Sequence, residues 1–253
     1  MRTSTEFTDL SREIDEQPWW DLWNTSYRSE DGRDAISSEL FARVSAVVNE
    51  IAANRVCHVL EIGCGTGTLS RLLRYTSYHG LDISPAAIAI AKRKAGDDST
   101  SSAAYEAADF HDWPLPDSPC EVALCVDAIS YFRDPQAALT KMARSLRACG
   151  QLVLTTINPF VYSRIRRTAT QPLAEGPVSH WFTRRELHAA IRGAGFSIER
   201  SYTIMPRGNC GILRVINSHR LNHVFGLYGA TTLRRLKEIA GLGQYRLVIA
   251  RKL

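Results

Sequence analysis

Apolar and polar positions divide the chain into two regimes. The first 30 residues are polar and aromatic, with Trp19, Trp20 and Trp23 close together. Ile36, Leu40, Phe41, Val44, Val47, Val48 and Ile51 then recur at helical spacing, which predicts an amphipathic helix over roughly 33–53. From residue 56 short apolar runs take over, at 56–62, 77–82, 103–107, 122–126 and 151–156. Helical stretches separate them, at roughly 67–74, 85–95 and 135–147, and Tyr245–Arg251 reads as a last strand. Ser84 and Pro85 suit the cap and first turn of one helix. Gly150 either caps the helix before it or opens the next strand. Such alternation predicts a mostly parallel sheet covered by helices on both faces. Right-handed crossovers then carry the loops that follow the strands to one edge, where a ligand belongs.

At 253 residues, the length suits one large domain or one domain with a modest extension. A hydrophobic content of 45% allows a sizeable core. No apolar leader opens the chain and no stretch is long enough to span a bilayer, so a soluble cytoplasmic protein is expected. Cys57, Cys64, Cys120, Cys125, Cys149 and Cys210 form no CxxC pair, and four of them lie in or beside apolar runs; they read as reduced small hydrophobes, with no metal site. The net charge of +5 leans toward an anionic partner because the arginines cluster in the C-terminal half, among them Arg164, Arg166, Arg184, Arg185, Arg207 and Arg214. That cluster is either a solvated basic face or a funnel for a phosphorylated, carboxylated or nucleic-acid acceptor.

The densest chemistry lies in 59–69, where an apolar strand runs into Gly63-Cys64-Gly65-Thr66-Gly67 and then a helix. Glycines there let the turn close and let a ligand lie against the backbone. Asp82 ends the second strand about 20 residues after the turn begins, where a carboxylate can accept from both hydroxyls of a ribose. Asp109 ends the third strand and can bind an exocyclic amino group, with Phe110 offering an apolar face to a purine. Turn, ribose acid and adenine acid in this order describe a site for an adenosine-containing ligand. Glu61, just ahead of the turn, would repel a pyrophosphate but suits a ligand carrying an ammonium and a sulfonium. The charge therefore favours S-adenosylmethionine over a nicotinamide dinucleotide.

Leu60-Glu61-Ile62-Gly63-Cys64-Gly65-Thr66-Gly67 resembles the first motif of the class I S-adenosylmethionine-dependent methyltransferases. Leu81-Asp82-Ile83-Ser84 resembles the second motif and Ala108-Asp109-Phe110 the third. Segments 113–116, 122–127, 181–187 and 195–196 resemble later parts of the fold, so the likeness runs from about 55 to 205. It implies an α/β Rossmann-like sheet of seven strands in the order 3-2-1-4-5-7-6, with strand 7 antiparallel. It also implies that S-adenosyl-L-methionine lies on Glu61, Gly63, Cys64, Gly65, Thr66, Gly67, Asp82, Ile83, Asp109, Phe110 and Val126. Many relatives with small acceptors carry a histidine shortly after strand four; here Asp127-Ala128-Ile129-Ser130-Tyr131-Phe132 has none.

Methyl transfer asks the protein to align acceptor, methyl and sulfur and to exclude water. An alcohol or phenol acceptor also needs a base, for which Asp127 and His180 are the candidates. Residues 1–50 read as an N-terminal helical cap, in which Tyr27 is the aromatic chosen to close over the cofactor. Residues 51–253 form the methyltransferase domain, with acceptor-pocket insertions at about 158–182 and 206–243, the second a helical lid. Arg207 and Asn209 open that lid. Asn158-Pro159-Phe160 follows strand five and lacks a second proline, so it is not a base-methylation motif. The reading is methyl transfer to a small or medium-sized metabolite, by O-methylation of a specialised or sugar-containing compound, with N-methylation open. The alternatives are an RNA methyltransferase and a non-catalytic S-adenosylmethionine-binding partner subunit. Nucleic acid is the less favoured acceptor, and the sequence leaves the oligomeric state open.

Overall fold

The alternation read from the sequence folds into one seven-stranded sheet, seen in a computed structural model that describes residues 35–53, 56–96, 102–166, 180–206 and 230–253. In chain order the elements are α1 (Ala35–Ile51), β1 (His58–Ile62), β2 (Ser77–Asp82), α2 (Pro85–Ala95), β3 (Ala103–Ala107), β4 (Cys120–Val126) and α3 (Pro135–Ser145). There follow β5 (Leu146–Ile157), α4 (Pro159–Arg166), α5 (Arg184–Gly193), β6 (Phe196–Ile204), α6 (Ala230–Ile239) and β7 (Tyr245–Lys252). The strand order is β3-β2-β1-β4-β5-β7-β6, and only β7 runs antiparallel to its neighbours. This is the expected sheet.

Near-continuous apolar strands make sense because both faces are covered. On one face, Leu40, Val44, Val47 and Val48 of α1 and Ile88 and Ala91 of α2 pack on Val59, Val122, Leu124 and Leu247. On the other, Leu139 and Met142 of α3 and Leu187 and Ile191 of α5 pack on Leu60, Ala123, Leu152 and Val248. Helix starts follow the sequence signals. Ser84 accepts from the Ala87 N–H at 3.2 Å, Asp134 accepts from the Ala137 N–H at 2.9 Å, and Thr183 with Glu186 forms a capping box.

Two local expectations change. The helix expected over 67–74 is a single 3-10 turn, Ser70–Leu72. Gly65 and Gly67 hold positive φ, and the Ser70 hydroxyl donates to the Gly67 carbonyl at 2.8 Å, so the chain tightens and then extends at Leu73. The helix expected over 135–147 stops at Ser145, and β5 starts at once with Leu146 paired to Cys120. A pairing irregularity between Cys120 and Val122, together with Cys149 at φ 60°, absorbs the extra residues. Gly150 therefore sits inside the strand.

Of the expected cap, residues 1–34 lie outside the described residues, and the remainder is α1, whose apolar stripe is part of the sheet's core. Most of the two insertions, 167–179 and 207–229, also lies outside them, together with Arg207, Asn209 and Cys210. Among the described residues no helix is long and apolar enough to cross a membrane.

Candidate functional site

A cavity of about 320 Å³ opens at the C-terminal edge of the parallel strands. Parallel strands end there without local partners, so the loops after β1, β2, β3 and β4 converge to form its walls.

After β1, Gly63 and Gly65 take φ of 76° and 53°. A Cβ on Gly63 would come within 2.5 Å of the Ala128 Cβ, so the loops after β1 and β4 press together only because that side chain is missing. Four of the turn's five amides are engaged by the protein itself. Gly63 and Cys64 N–H donate to the Leu81 carbonyl at 2.8 and 2.9 Å, Gly65 N–H to Asp82 Oδ2 at 2.8 Å, and Gly67 N–H to the Cys64 carbonyl at 3.1 Å. A dinucleotide site would aim such amides at a pyrophosphate. Here they tie the turn to the end of β2.

Asp82 receives a second N–H, from Ser84, on Oδ1 at 2.9 Å. Burial pushes its carboxyl up, and the two N–H donors pull it back down. Asp109, after β3, accepts from the His111 N–H at 2.9 Å and pairs with the largely exposed Arg133 at 3.2 Å. Phe110 lies beneath, stacked on Trp113 with centroids 6.4 Å apart and edge-on to Phe132 at 6.3 Å. The apolar slot is thus built by packing between the segment after β3 and the segment after β4.

After β4, Asp127 adopts φ 54°, uncommon for a residue with a side chain. Its N–H donates to both the carbonyl (3.1 Å) and the hydroxyl (3.0 Å) of Thr155, which anchors the strained loop to β5. Burial raises the Asp127 carboxyl to about 7, although a hydrogen bond with Tyr245 acts to lower it. Glu61, at the end of β1, also lines the cavity and accepts a hydrogen bond from the Tyr78 hydroxyl.

Of the residues singled out from the sequence, Glu61, Gly63, Cys64, Gly65, Asp82, Ile83, Asp109, Phe110, Val126 and Asp127 line this one cavity. Thr66 and Gly67 do not; Gly67 lies against Tyr105, and a Cβ there would approach its ring within 2.7 Å. His180 is outside as well. Its Nε2 lies 3.5 Å from Glu186, its N–H reaches the Ser130 carbonyl at 3.4 Å, and its ring packs edge-on against Phe182. Tyr27 lies outside the described residues. Sequence reasoning missed Leu40, Phe41, His111, Tyr131, Arg133 and Tyr245, which also form walls. They come from α1, loops and β7, far apart in the chain, and carry no local motif.

Residues 36–201, well over half of the chain, match the family model described as a methyltransferase domain. The chain belongs to the methyltransferase domain family. Among curated relatives of this methyltransferase-family chain, a malonyl-[acyl-carrier protein] O-methyltransferase of Brevibacillus brevis is 28% identical over 183 residues, covering 66% of each chain. A fatty-acid O-methyltransferase of Mycolicibacterium smegmatis is 30% identical over 161 residues, covering 62% of this chain and 56% of that one. This chain thus spans just under two thirds of the first relative's length and less of the second's. Among solved structures, the N-methyltransferase NodS of Bradyrhizobium japonicum in complex with S-adenosyl-L-homocysteine shares the fold. Its TM-score is 0.64 at 13% identity, covering 93% of this chain and 99% of that one.

The family's cofactor is S-adenosylmethionine, and the residues of this methyltransferase cavity fit it. Glu61, Asp82 and Asp109 place carboxylates along one cavity, against the single arginine Arg133 among its lining residues. Such a set accepts hydrogen bonds from hydroxyl and amino groups and attracts a cation. It repels a pyrophosphate, and the Gly63, Cys64, Gly65 and Gly67 amides are already engaged.

Proposed function

We propose that this chain transfers a methyl group from S-adenosylmethionine to an oxygen of a small or medium-sized metabolite, with Asp127 as the base. The observation that carries the reading is the position of Asp127: it lines the same cavity as Glu61, Asp82 and Asp109, and its carboxyl is raised to about 7. A base with that value is half-ionised near neutral pH and retains driving force for proton transfer. O-methyltransferases among the relatives support oxygen as the accepting atom.

S-adenosylmethionine, when bound, supplies a methyl carbon already activated by its sulfonium. Asp82 would hold the ribose hydroxyls, and Asp109 the exocyclic amino group, with the purine against Phe110. Glu61 would balance the ammonium. Asp127 would take the proton of the acceptor hydroxyl, with Tyr245 fixing its carboxyl. Phe41 and Tyr131 line the same cavity and would limit water there. Tyr27 of the cap would close over the cofactor, and the insertions around 158–182 and 206–243 would complete the acceptor pocket.

The test is methyl incorporation from labelled S-adenosylmethionine into a panel of hydroxylated and aminated metabolites, with Asp127→Asn as the variant. Wild type should methylate hydroxyl acceptors, with a rate that falls as the pH drops below about 7, because protonation removes the base. Asp127→Asn should slow turnover by about 10²–10⁴-fold and lose that limb, while keeping its cofactor affinity. Transfer to amines alone would overturn oxygen as the acceptor atom, and unchanged turnover in the variant would remove Asp127 as the base.

A further inference from the structure

Below the glycine turn, two tyrosines crowd around a glycine. Tyr78 on β2 is paired with Val59, while Gly80 is paired with both Glu61 on β1 and Tyr105 on β3. Side chains two apart on a strand share a face, so Glu61, Tyr78 and Tyr105 all rise on the same side of the sheet. Gly80 makes room for them: a Cβ there would stand 2.9 Å from Cys64 Sγ, 2.9 Å from Tyr78 Cε1 and 3.0 Å from Tyr105 Cδ1. Tyr75 and Tyr105 flank the Tyr78 ring at 5.5 and 5.7 Å.

The two inner hydroxyls have different partners. Tyr105 Oη lies 2.6 Å from Ser70 Oγ, which in turn donates to the Gly67 carbonyl, so that phenol braces the turn. Tyr78 donates to Glu61. Both Tyr78 and Glu61 are 1% exposed, so their hydrogen bond lies away from bulk water. Burial first, and then the Glu61 charge, push the Tyr78 phenol well above its usual range, so it stays a proton donor. A carboxylate held this deep needs such a donor, because isolated charge in an apolar interior is strongly disfavoured.

We infer that Tyr78 is a positioning residue for the amino-acid end of the cofactor: its hydroxyl holds the Glu61 carboxylate at the cavity wall, where it faces the ligand's ammonium. The inference rests on the reading of the cavity as an S-adenosylmethionine site. Tyr78 lies behind Glu61 and is absent from the cavity lining, so it acts on the ligand only through that carboxylate. Its effect is therefore confined to ligands that carry the ammonium.

Calorimetric titration with S-adenosylhomocysteine and with 5′-methylthioadenosine, which lacks the amino-acid end, separates this role from a scaffold role. Tyr78→Phe removes one oxygen and keeps the packed ring; a thermal melt checks its fold. It should weaken S-adenosylhomocysteine by about ten- to a hundredfold and leave methylthioadenosine within about twofold. Glu61→Gln should show the same selectivity, and the double variant should be no weaker than the weaker single. Equal losses for both ligands would make Tyr78 a scaffold residue and overturn the inference, as would no loss in either variant. Should the wild type bind neither ligand, the cofactor reading itself fails, and the inference with it.

Discussion

Asp82 shows how one side chain couples local structure to binding. Its carboxylate takes the Gly65 and Ser84 N–H groups, so it fixes the glycine turn and the entry to α2. The same carboxylate lines the cavity where the ribose is proposed to lie. Asp82→Ala should weaken S-adenosylhomocysteine by about 1–3 kcal/mol, as expected for a lost buried acceptor, and lower thermal stability as well. Unchanged affinity by calorimetry would place the ribose elsewhere. The sequence exposed Asp82 because strand-end acids sit at a regular distance from a glycine turn. It did not expose Tyr78 or Tyr245: both read as ordinary strand aromatics, and what they touch depends on strand register. His180 illustrates the converse, since a histidine at a helix entry looks available until its ring is found beside Glu186 and Phe182.

Among the elements, β5 and the α6–β7 turn are joined by a single side chain. Asn158 Nδ2 donates to the Gly241 and Gly243 carbonyls at 2.9 and 2.8 Å, and its N–H donates to the Gln244 carbonyl at 2.8 Å. That link sets where Tyr245 begins β7 and so where its hydroxyl meets Asp127. Asn158→Ala should cost about 1–3 kcal/mol in chemical denaturation, because one buried and one half-buried carbonyl lose their donor. A loss within about 0.5 kcal/mol would mean that neighbouring groups satisfy both carbonyls. Apolar periodicity located α1, α2, α3, β1 to β5 and β7, because strands covered on both faces and amphipathic helices leave strong patterns, whereas α5 and β6 came through the family resemblance and α4 was not expected. It failed at 67–74 and at the start of β5. In both places positive-φ residues and side-chain bonds to the backbone, rather than apolar spacing, decide the chain's path.

For the whole molecule, strand order, layers and cavity agree with family membership, whereas the acceptor is decided by parts that vary around a shared scaffold. The same fold serves many reactions, so cofactor residues lie at motif positions and acceptor residues do not. This is why Glu61, Asp82 and Asp109 were legible in the sequence while Phe41, Tyr131 and Tyr245 were not. The cofactor is the central claim, and titration of the full chain with S-adenosylhomocysteine, with NAD as control, tests it most directly. Saturable binding of S-adenosylhomocysteine with no binding of NAD is the predicted result. Binding of NAD alone would contradict the reading of Glu61 and of the engaged turn amides.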